Sequence, residues 1–533
     1  MPQWWKTAVI YQIYPRSFAD ANGDGVGDLA GILQRLPYLV ELGIGAIWIS
    51  PIFPSPMADF GYDVAKYTAI DPLFGTLADF DALLAAAHGC GIKVLLDFVP
   101  NHTSELHPWF LESRSSRDNP RRDWYLWRDP APRGGPPNNW LSQFGGSAWE
   151  LDPATGQYYY HAFLKAQPDL NWRHPRLREA MYDCMRFWLR RGVDGFRVDV
   201  LWHLIKDDRF RDNPVNPSFA PGMPPHEKLL PLYTTDRPEM EELVAELRGV
   251  LDEFGGDRLL IGEIYLPLER LMRYYGRDLK GAHLPFNFSL LGAGWNATTL
   301  AGLIREYEKS LPPGGWPNWV LGNHDWPRIA GRIGRDQARV AGMLLLTLRG
   351  TPTMYYGDEI AMAQVAIPPE RIRDPFQKNV PHLNVGRDGS RTPMQWDPGH
   401  NAGFSCAEPW LPLAADLQQI NVGCERADRA SIYNLYRALL ALRRERPALA
   451  RGSCHLCAAH EQVLMFAREC ERESLLVALN FGDALASATL SGKKAAGRVL
   501  LSTQLDRAGE PVSHRLDLHP NEGVIVELSG TNP

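Results

Sequence analysis

The stretch GFRVDV, residues 195–200, decides how this chain reads. It is short, largely apolar, and ends beside a carboxylate, Asp199. Two other strand-like runs do the same: LLIGEIY (259–265) carries Glu263 and WVLGNHD (319–325) ends on Asp325. A carboxylate at the end of a buried strand is costly to desolvate unless it has work to do. An eight-stranded α/β barrel collects its active site at that end of its strands. Three acids at three such ends predict one pocket, and paired carboxyls in one pocket suit glycosidic-bond cleavage, one attacking and one donating a proton.

Outward from 195–200, strands and helices alternate. Strands are predicted at 7–14, 45–52, 93–99, 195–200, 259–265, 283–288, 318–325 and 351–358. KVLLDFV (93–99) and GAIWIS (45–50) are nearly continuous apolar runs, as parallel strands buried on both faces require. Helices are predicted at 28–42, 77–89, 175–191, 236–254, 297–310, 335–348 and 431–446. The third of these has apolar residues at helical spacing until Gly192 stops it. The alternation predicts an α/β fold, a (β/α)₈ TIM barrel built from residues 1–103 and 172–448. Residues 104–171, rich in Trp, Pro, Asn and Gly, read as an inserted loop-rich domain, and 359–430 as a second excursion. From 449 to 533 the helical period gives way to short strands, which predict an antiparallel β-sandwich.

Composition narrows the partners. The 533 residues carry a net charge of -6, with Lys and Arg dispersed, which argues against nucleic acid. Seven Cys form no dense framework, and the pair Cys454 and Cys457 lacks a second pair to build a zinc site, so reduced thiols and a cytoplasmic location are expected. The opening MPQWWKTAVIYQIY lacks the pattern of a signal peptide. No apolar run reaches the ~18 residues of a membrane span.

Several blocks now stand in order: DFVPNH (97–102), GFRVDV (195–200), GEIYLP (262–267) and GNHD (322–325). Together they resemble the four sequence blocks of the α-amylase superfamily of glycoside hydrolases, and QPDLN (167–171) resembles the block near the end of that family's inserted domain. DFGYD (59–63), HLPFNF (283–288), YYGDEI (355–360) and GRDGSRTPMQWD (386–397) are similar to the α-glucosidase and oligo-1,6-glucosidase branch. The resemblance implies a retaining, exo-acting α-glucosidase that releases glucose from the non-reducing end of short α-glucosides and is capable of glucosyl transfer.

Site roles follow from the resemblance, beside what the residues say themselves. Asp199 would be the nucleophile; Arg197, two residues earlier, leaves the same face of the strand and favours the ionised form. Glu263 would be the acid and then the base, with LLIG before it supplying apolar surroundings. Asp325 would hold the sugar's 2- and 3-hydroxyls, or cap the following helix. His102 and His324 would donate to sugar hydroxyls. Asp59 would grip the 4- and 6-hydroxyls, Tyr62 would form a stacking wall, and Asp63 would support the loop. Arg387 would pair with Asp59 and close the pocket, with Arg391 as its rival. Phe144 and Phe163 would form a rim. Val200 follows the nucleophile at a position tied to linkage preference in relatives, Trp326 departs from the smaller polar residue usual after GNHD and would narrow the aglycone side, and linkage stays open between α-1,4 and α-1,6.

The loop Asp20, Asn22, Asp24, Val26, Asp28 has oxygen ligands at alternating positions, yet its twelfth residue is Gly31, so it is no EF-hand. An Asx-rich turn with Asp28 as a cap is the alternative. The resemblance implies a structural Ca²⁺ or Mg²⁺ there, and no cofactor for catalysis. Rival functions are a sucrose- or trehalose-forming isomerase, a transporter heavy chain, which would carry an anchor and lack the acids, and a carbohydrate binder without turnover.

Overall fold

The computed structural model describes residues 3–529 apart from 256, 384, 461, 472 and 491–495. Eight parallel strands form the barrel wall: β1 (Ile10–Ile13), β2 (Ala46–Ile49), β3 (Lys93–Phe98), β4 (Gly195–Val198), β5 (Leu259–Gly262), β6 (Leu284–Pro285), β7 (Asn318–Val320) and β8 (Thr351–Tyr355). Hydrogen bonding runs in the order β7-β8-β1-β2-β3-β4-β5-β6. Between β6 and β7 a side chain completes the circle. Asn318 Nδ2 donates to the Pro285 carbonyl at 2.6 Å, and its Oδ1 accepts from the Asn287 amide at 2.8 Å. Pro285 has no N–H to offer a ladder, so an asparagine amide stands in for the backbone.

The two-residue period of the strands separates two cores. Ala46, Trp48, Leu95, Leu259, Ile261 and Val320 point into the barrel and pack there together. Ile47, Ile49, Val94, Leu96, Phe196 and Leu260 alternate with them and pack with helix residues such as Leu83, Trp188 and Leu247. Gly195 opens β4 because a Cβ there would sit 2.1 Å from the Leu259 carbonyl oxygen.

The seven predicted helices fall close to where periodicity places them, and three departures bear on the barrel. The first is broken into Leu29–Gln34 and Leu36–Leu42, with Pro37 at the start of the second piece. A short helix, Leu268–Leu271, continued as a 3₁₀ turn over Met272–Tyr275, fills the gap after β5; four residues after Pro267 are too few to show a period. The connection from β4 to the helix Met240–Asp252 is a third long excursion, signalled only by its prolines in NPVNPSFAPGMPP (213–225).

The insertion after β3 has its own three-stranded antiparallel sheet, in the order Trp127–Arg128, Gln157–Tyr160, Trp149–Asp152. Trp140, Trp149 and Tyr160 form its core. Its two ends are tied together where His102 bridges Asp169. At the C-terminus the first strand begins at Ser453, after a helix Pro447–Arg451 that carries helical structure past the expected boundary at 449. Among the described residues, eight strands there form one antiparallel sheet and no second sheet. Val463 and Met465 near one edge share a core with Leu516 and Leu518 near the other, so the sheet curls around its own interior. Its other face, through Leu464, Phe466 and Leu475, joins the barrel's outer core. Residues 491–495 and 530–533 of this region lie outside the described residues.

Candidate active site

The strand period that fills the barrel also builds the site. On β3 the inward series runs from Leu95 to Asp97, on β4 from Gly195 to Arg197, then Asp199, and on β5 from Leu259 through Ile261 to Glu263. The apolar interior becomes charged at the C-terminal rim within one or two inward steps.

Arg197 is the centre of this layer and is 1% exposed. Its Nη1 lies 2.8 Å from Asp97 Oδ1 and 2.7 Å from Asp199 Oδ1, and its Nη2 lies 2.8 Å from Glu263 Oε2. One guanidinium therefore serves three buried carboxyls. The Val200 amide also donates to Glu263 Oε2, at 2.9 Å. Val200 sits at φ 37°, a left-handed conformation strained for a β-branched residue, and that turn aims its amide at Glu263. Burial pushes Asp199 and Glu263 above the usual carboxylate range, and Arg197 opposes it. Burial likewise raises Asp97 to about 6 against the pull of Arg197. With one guanidinium for three carboxyls, burial outweighs its attraction and favours the protonated form in this layer.

A second group surrounds Asp325. Arg391 Nη2 lies 2.7 Å from its Oδ1, and Arg387 Nη1 lies 3.3 Å from the same oxygen. Arg387 also pairs with Asp59 at 2.8 Å and with Asp374 at 2.7 Å. Both candidate arginines thus reach inward. Arg387 lines the cavity, whereas Arg391 is fully buried behind it and donates to the His324 carbonyl at 2.8 Å. Burial works against ionisation of Asp325, but His324, Arg387 and Arg391 together hold its carboxyl well below the usual range. Since burial lowers His324 itself to about 3, that ring is neutral near pH 7 and the arginines carry the effect there. Asp325 does not cap a helix: the next one, Ile329–Ile333, follows Arg328 and has no side-chain cap.

Both histidines are neutral donors held by fixed partners. Gln12 Nε2 lies 2.8 Å from His324 Nδ1, which makes Nδ1 the acceptor and places the proton on Nε2, 2.7 Å from the Tyr62 hydroxyl. Tyr62 also donates to Asp97 Oδ2 at 3.0 Å and stacks on the His324 ring at 5.3 Å. His102 Nε2 donates to the Tyr62 carbonyl at 2.9 Å, and burial lowers its pKa to about 4. Asp63 accepts from the Ala58 and Asp59 amides and the Ser55 hydroxyl, and so shapes the loop that carries Asp59.

Asp199, Glu263, Asp325, Asp59, Arg387, Tyr62, His102 and His324 line one cavity of about 430 Å³, while Asp97, Arg197, Asp374 and Arg391 stand outside its lining. The family model for the alpha-amylase catalytic domain matches residues 12–452. The chain belongs to the alpha-amylase family. It is 43% identical over 506 residues to a probable alpha-glucosidase of Rhizobium meliloti (strain 1021), covering 92% of each chain. It is 40% identical to an oligo-1,6-glucosidase of Heyndrickxia coagulans, covering 91% of this chain and 93% of the relative. Among solved structures, an alpha-glucosyl transfer enzyme superposes with a TM-score of 0.94 at 41% identity, covering 99% and 100% of the two chains. A trehalulose synthase from Pseudomonas mesoacidophila MX-45 superposes with a TM-score of 0.90 at 34% identity, covering 99% of each.

The wall of this alpha-amylase family cavity and the buried layer behind it include residues that sequence reasoning did not single out. Asp97 was legible by the same logic as Asp199, an acid inside an apolar strand. Asp374 and Phe376 come from the excursion after β8, and no periodicity marks them. Phe144 stacks on Phe376 at 5.2 Å and meets Phe163 edge-on at 5.6 Å, so the expected rim has a third ring. Trp202, His203, His226 and Glu227 enter from the excursion after β4, and Tyr265 follows β5.

The loop of Asp20, Asn22, Asp24, Val26 and Asp28 takes no part in the cavity. Asp20 accepts from the Gly23 and Gly25 amides at 2.7 and 2.8 Å, Asp24 from Val26 at 2.9 Å, and Asp28 caps its helix through Gly31 at 2.6 Å. Among the described residues no three His, Cys, Asp or Glu side chains are grouped so as to hold a metal, so a cation here would need Asn22 and backbone oxygens beside the carboxylates. Among the described residues no helix is long and apolar enough to cross a membrane.

Proposed function

We propose that the protein is a retaining, exo-acting α-glucosidase for short α-glucosides. The observation that carries this reading is the single guanidinium, Arg197, shared by Asp199 and Glu263 in the wall of one cavity. Arg197 and the Val200 amide occupy Glu263 Oε2, leaving Oε1 to carry the proton. Arg197 occupies Asp199 Oδ1, leaving Oδ2 to attack. In the first step Oδ2 bonds to the anomeric carbon while Oε1 protonates the departing glycosidic oxygen. In the second, Glu263, now ionised, takes a proton from water, whose oxygen replaces Asp199. Asp325, kept ionised, accepts from hydroxyls of the bound ring, while the neutral His102 and His324, whose single N–H groups are taken by the Tyr62 carbonyl and hydroxyl, hold the Tyr62 wall in place instead of donating to the sugar. The Asp59–Arg387 pair blocks one end of the cavity, which limits the enzyme to terminal glucose. An alcohol in place of water gives glucosyl transfer by the same step.

A panel of α-1,1, α-1,2, α-1,3, α-1,4 and α-1,6 disaccharides, followed by chromatography and by NMR of the first-formed anomer, tests the reading. Free α-glucose appearing first is the expected result. β-Glucose first refutes retention, and sucrose converted to an isomer without net glucose points to the isomerase instead.

We also propose a structural Ca²⁺ or Mg²⁺ at the first loop, supported by its all-oxygen donor set. It enters no catalytic step. Saturating Ca²⁺ is expected to raise Tm by a few degrees after chelation; an unchanged Tm with either cation removes the proposal.

A further inference from the structure

The catalytic cavity has a buried floor and a half-buried mouth. Asp59, Asp199 and Glu263 belong to the floor, and none is more than 6% exposed. Phe163, Trp202, His226, Glu227, Tyr265 and Phe376 are half-buried and form the mouth. Tyr265 lies two residues past Glu263, and Trp202 two past Val200, whose amide holds Glu263. Their rings, with centroids 5.5 Å apart, therefore put the mouth on the side of the acid. A glucose seated on the floor leaves its aglycone at that mouth.

Among the described residues five carboxyls line the cavity, and four of them pair with arginines: Asp59, Asp199, Glu263 and Asp325. Glu227 is the fifth, and its side chain has no ion pair and no hydrogen bond among the described residues. Its backbone is nonetheless fixed. Asn216 Nδ2 donates to the Glu227 carbonyl at 2.8 Å, Val215 bridges Leu229, and the 3₁₀ turn Pro225–Lys228 follows Pro224. The adjacent Lys228 lies over the Phe219 ring and stands outside the cavity wall. The wall histidines supply no compensating charge. Burial lowers His102 and His226 to about 4 and His324 to about 3, and holds His203 well below its ordinary value. Arg387 is committed to three acids already. Burial raises Glu227, but no neighbouring carboxyl adds to that, and a half-buried group keeps enough water to stay an anion near pH 7.

We propose that Glu227 is a specificity-determining residue that selects the aglycone, or the acceptor in transfer, by charge: amino-bearing and neutral hydroxylic groups are admitted and anionic ones are disfavoured. The inference rests on the glucosidase reading and deepens it. The aromatic mouth takes the apolar face of either kind of partner, so it does not discriminate between them. The unpaired carboxylate does, since it accepts from ammonium or hydroxyl groups and repels a carboxylate or phosphate.

The test compares three α-glucosides of one shape, the 4-aminomethylphenyl, 4-hydroxymethylphenyl and 4-carboxyphenyl compounds. Each is titrated calorimetrically at pH 7 and low salt into the full-length chain bearing Asp199→Asn, which blocks turnover. The amine is expected to bind about ten-fold or more tightly than the carboxylate, with the alcohol between them. Adding Glu227→Gln, which keeps the shape and removes the charge, should shrink that ratio about five-fold, and Glu227→Asp should restore the order. Salt at about 1 M should shrink the ratio as well, because the mouth is open to water. Equal affinities for the three, an order that Glu227→Gln leaves unchanged, or no saturable binding of any of them overturns the proposal. The glucosidase reading fails separately, if the wild-type chain releases no glucose from any α-glucoside.

Discussion

Two groups of three carboxyls are built around the same cavity, two of each group in its wall, and they differ in how many arginines they have. Asp97, Asp199 and Glu263 share Arg197 alone. Asp59, Asp325 and Asp374 share Arg387, and Asp325 has Arg391 as well. Burial is common to both groups, so it does not distinguish them. In the first, burial wins and all three carboxyls are raised. In the second, the arginines win at Asp325 and Asp374, which are lowered, while Asp59 is still raised by its burial. In the proposed mechanism, the groups that exchange a proton, Asp199 and Glu263, sit where positive charge is scarce, and Asp325, proposed to hold hydroxyls, sits where it is ample. A cationic excess over the first group would strip the acid of its proton, and a deficit over the second would leave a protonated carboxyl that accepts poorly from sugar hydroxyls.

The largest effect that sharpens this contrast is removal of a reacting carboxyl. Asp199→Ala is expected to lower kcat by about 10⁴-fold or more, and Glu263→Gln by about 10²–10⁴-fold. Both variants should still bind glucose, which equilibrium titration checks. A Glu263→Gln enzyme with unchanged kcat would break the assignment of the acid.

Next in size is the support of the holding group. Asp374 touches no sugar in this reading; it fixes Arg387 through its backbone amide at 2.8 Å and its guanidinium at 2.7 Å. Asp374→Ala is expected to cost about 10²-fold in kcat/KM through a displaced Arg387. The pH limbs should stay in place, because the Arg197 group is untouched. A profile that moves with Asp374 would erase the distinction between the two groups.

The smallest effect is a shift rather than a loss. In the proposed mechanism the activity requires a protonated Glu263, so it is expected to fall as pH rises through the raised pKa of the Asp199–Glu263 pair. Asp97 is a negative neighbour that helps to keep Asp199 raised. Asp97→Asn removes that charge, the pair releases its proton at lower pH, and the basic limb of kcat/KM should move to lower pH. A limb that stays fixed, or moves upward, would show that Asp97 does not share in the titration.

Much of this arrangement was legible in the chain. The eight strands show as apolar runs because both faces of a barrel strand are buried. Asp199, Glu263 and Asp325 show because a charge at the end of such a run is out of keeping with its surroundings. The helix at Leu268–Leu271 escaped because four residues span barely one turn. Asp374 and the cavity residues Trp202, His226 and Glu227 escaped because they lie on irregular excursions, where spacing carries no direction. The C-terminal strands Ser453–His460, Pro511–Ser513 and Arg515–Leu518 were missed for a related reason, since SCHLCAAH lacks a clear two-residue alternation and the other two are very short.

The barrel and the acids at its rim were determined by the sequence itself, because alternation, apolar runs and the cost of desolvating a charge are properties of neighbours along the chain. The sharing of arginines was decided only in three dimensions. Asp59 and Arg387 are 328 residues apart, and Gln12 reaches His324 across 312. Electrostatic coupling falls with distance through space, and no local pattern records which distant charges will meet.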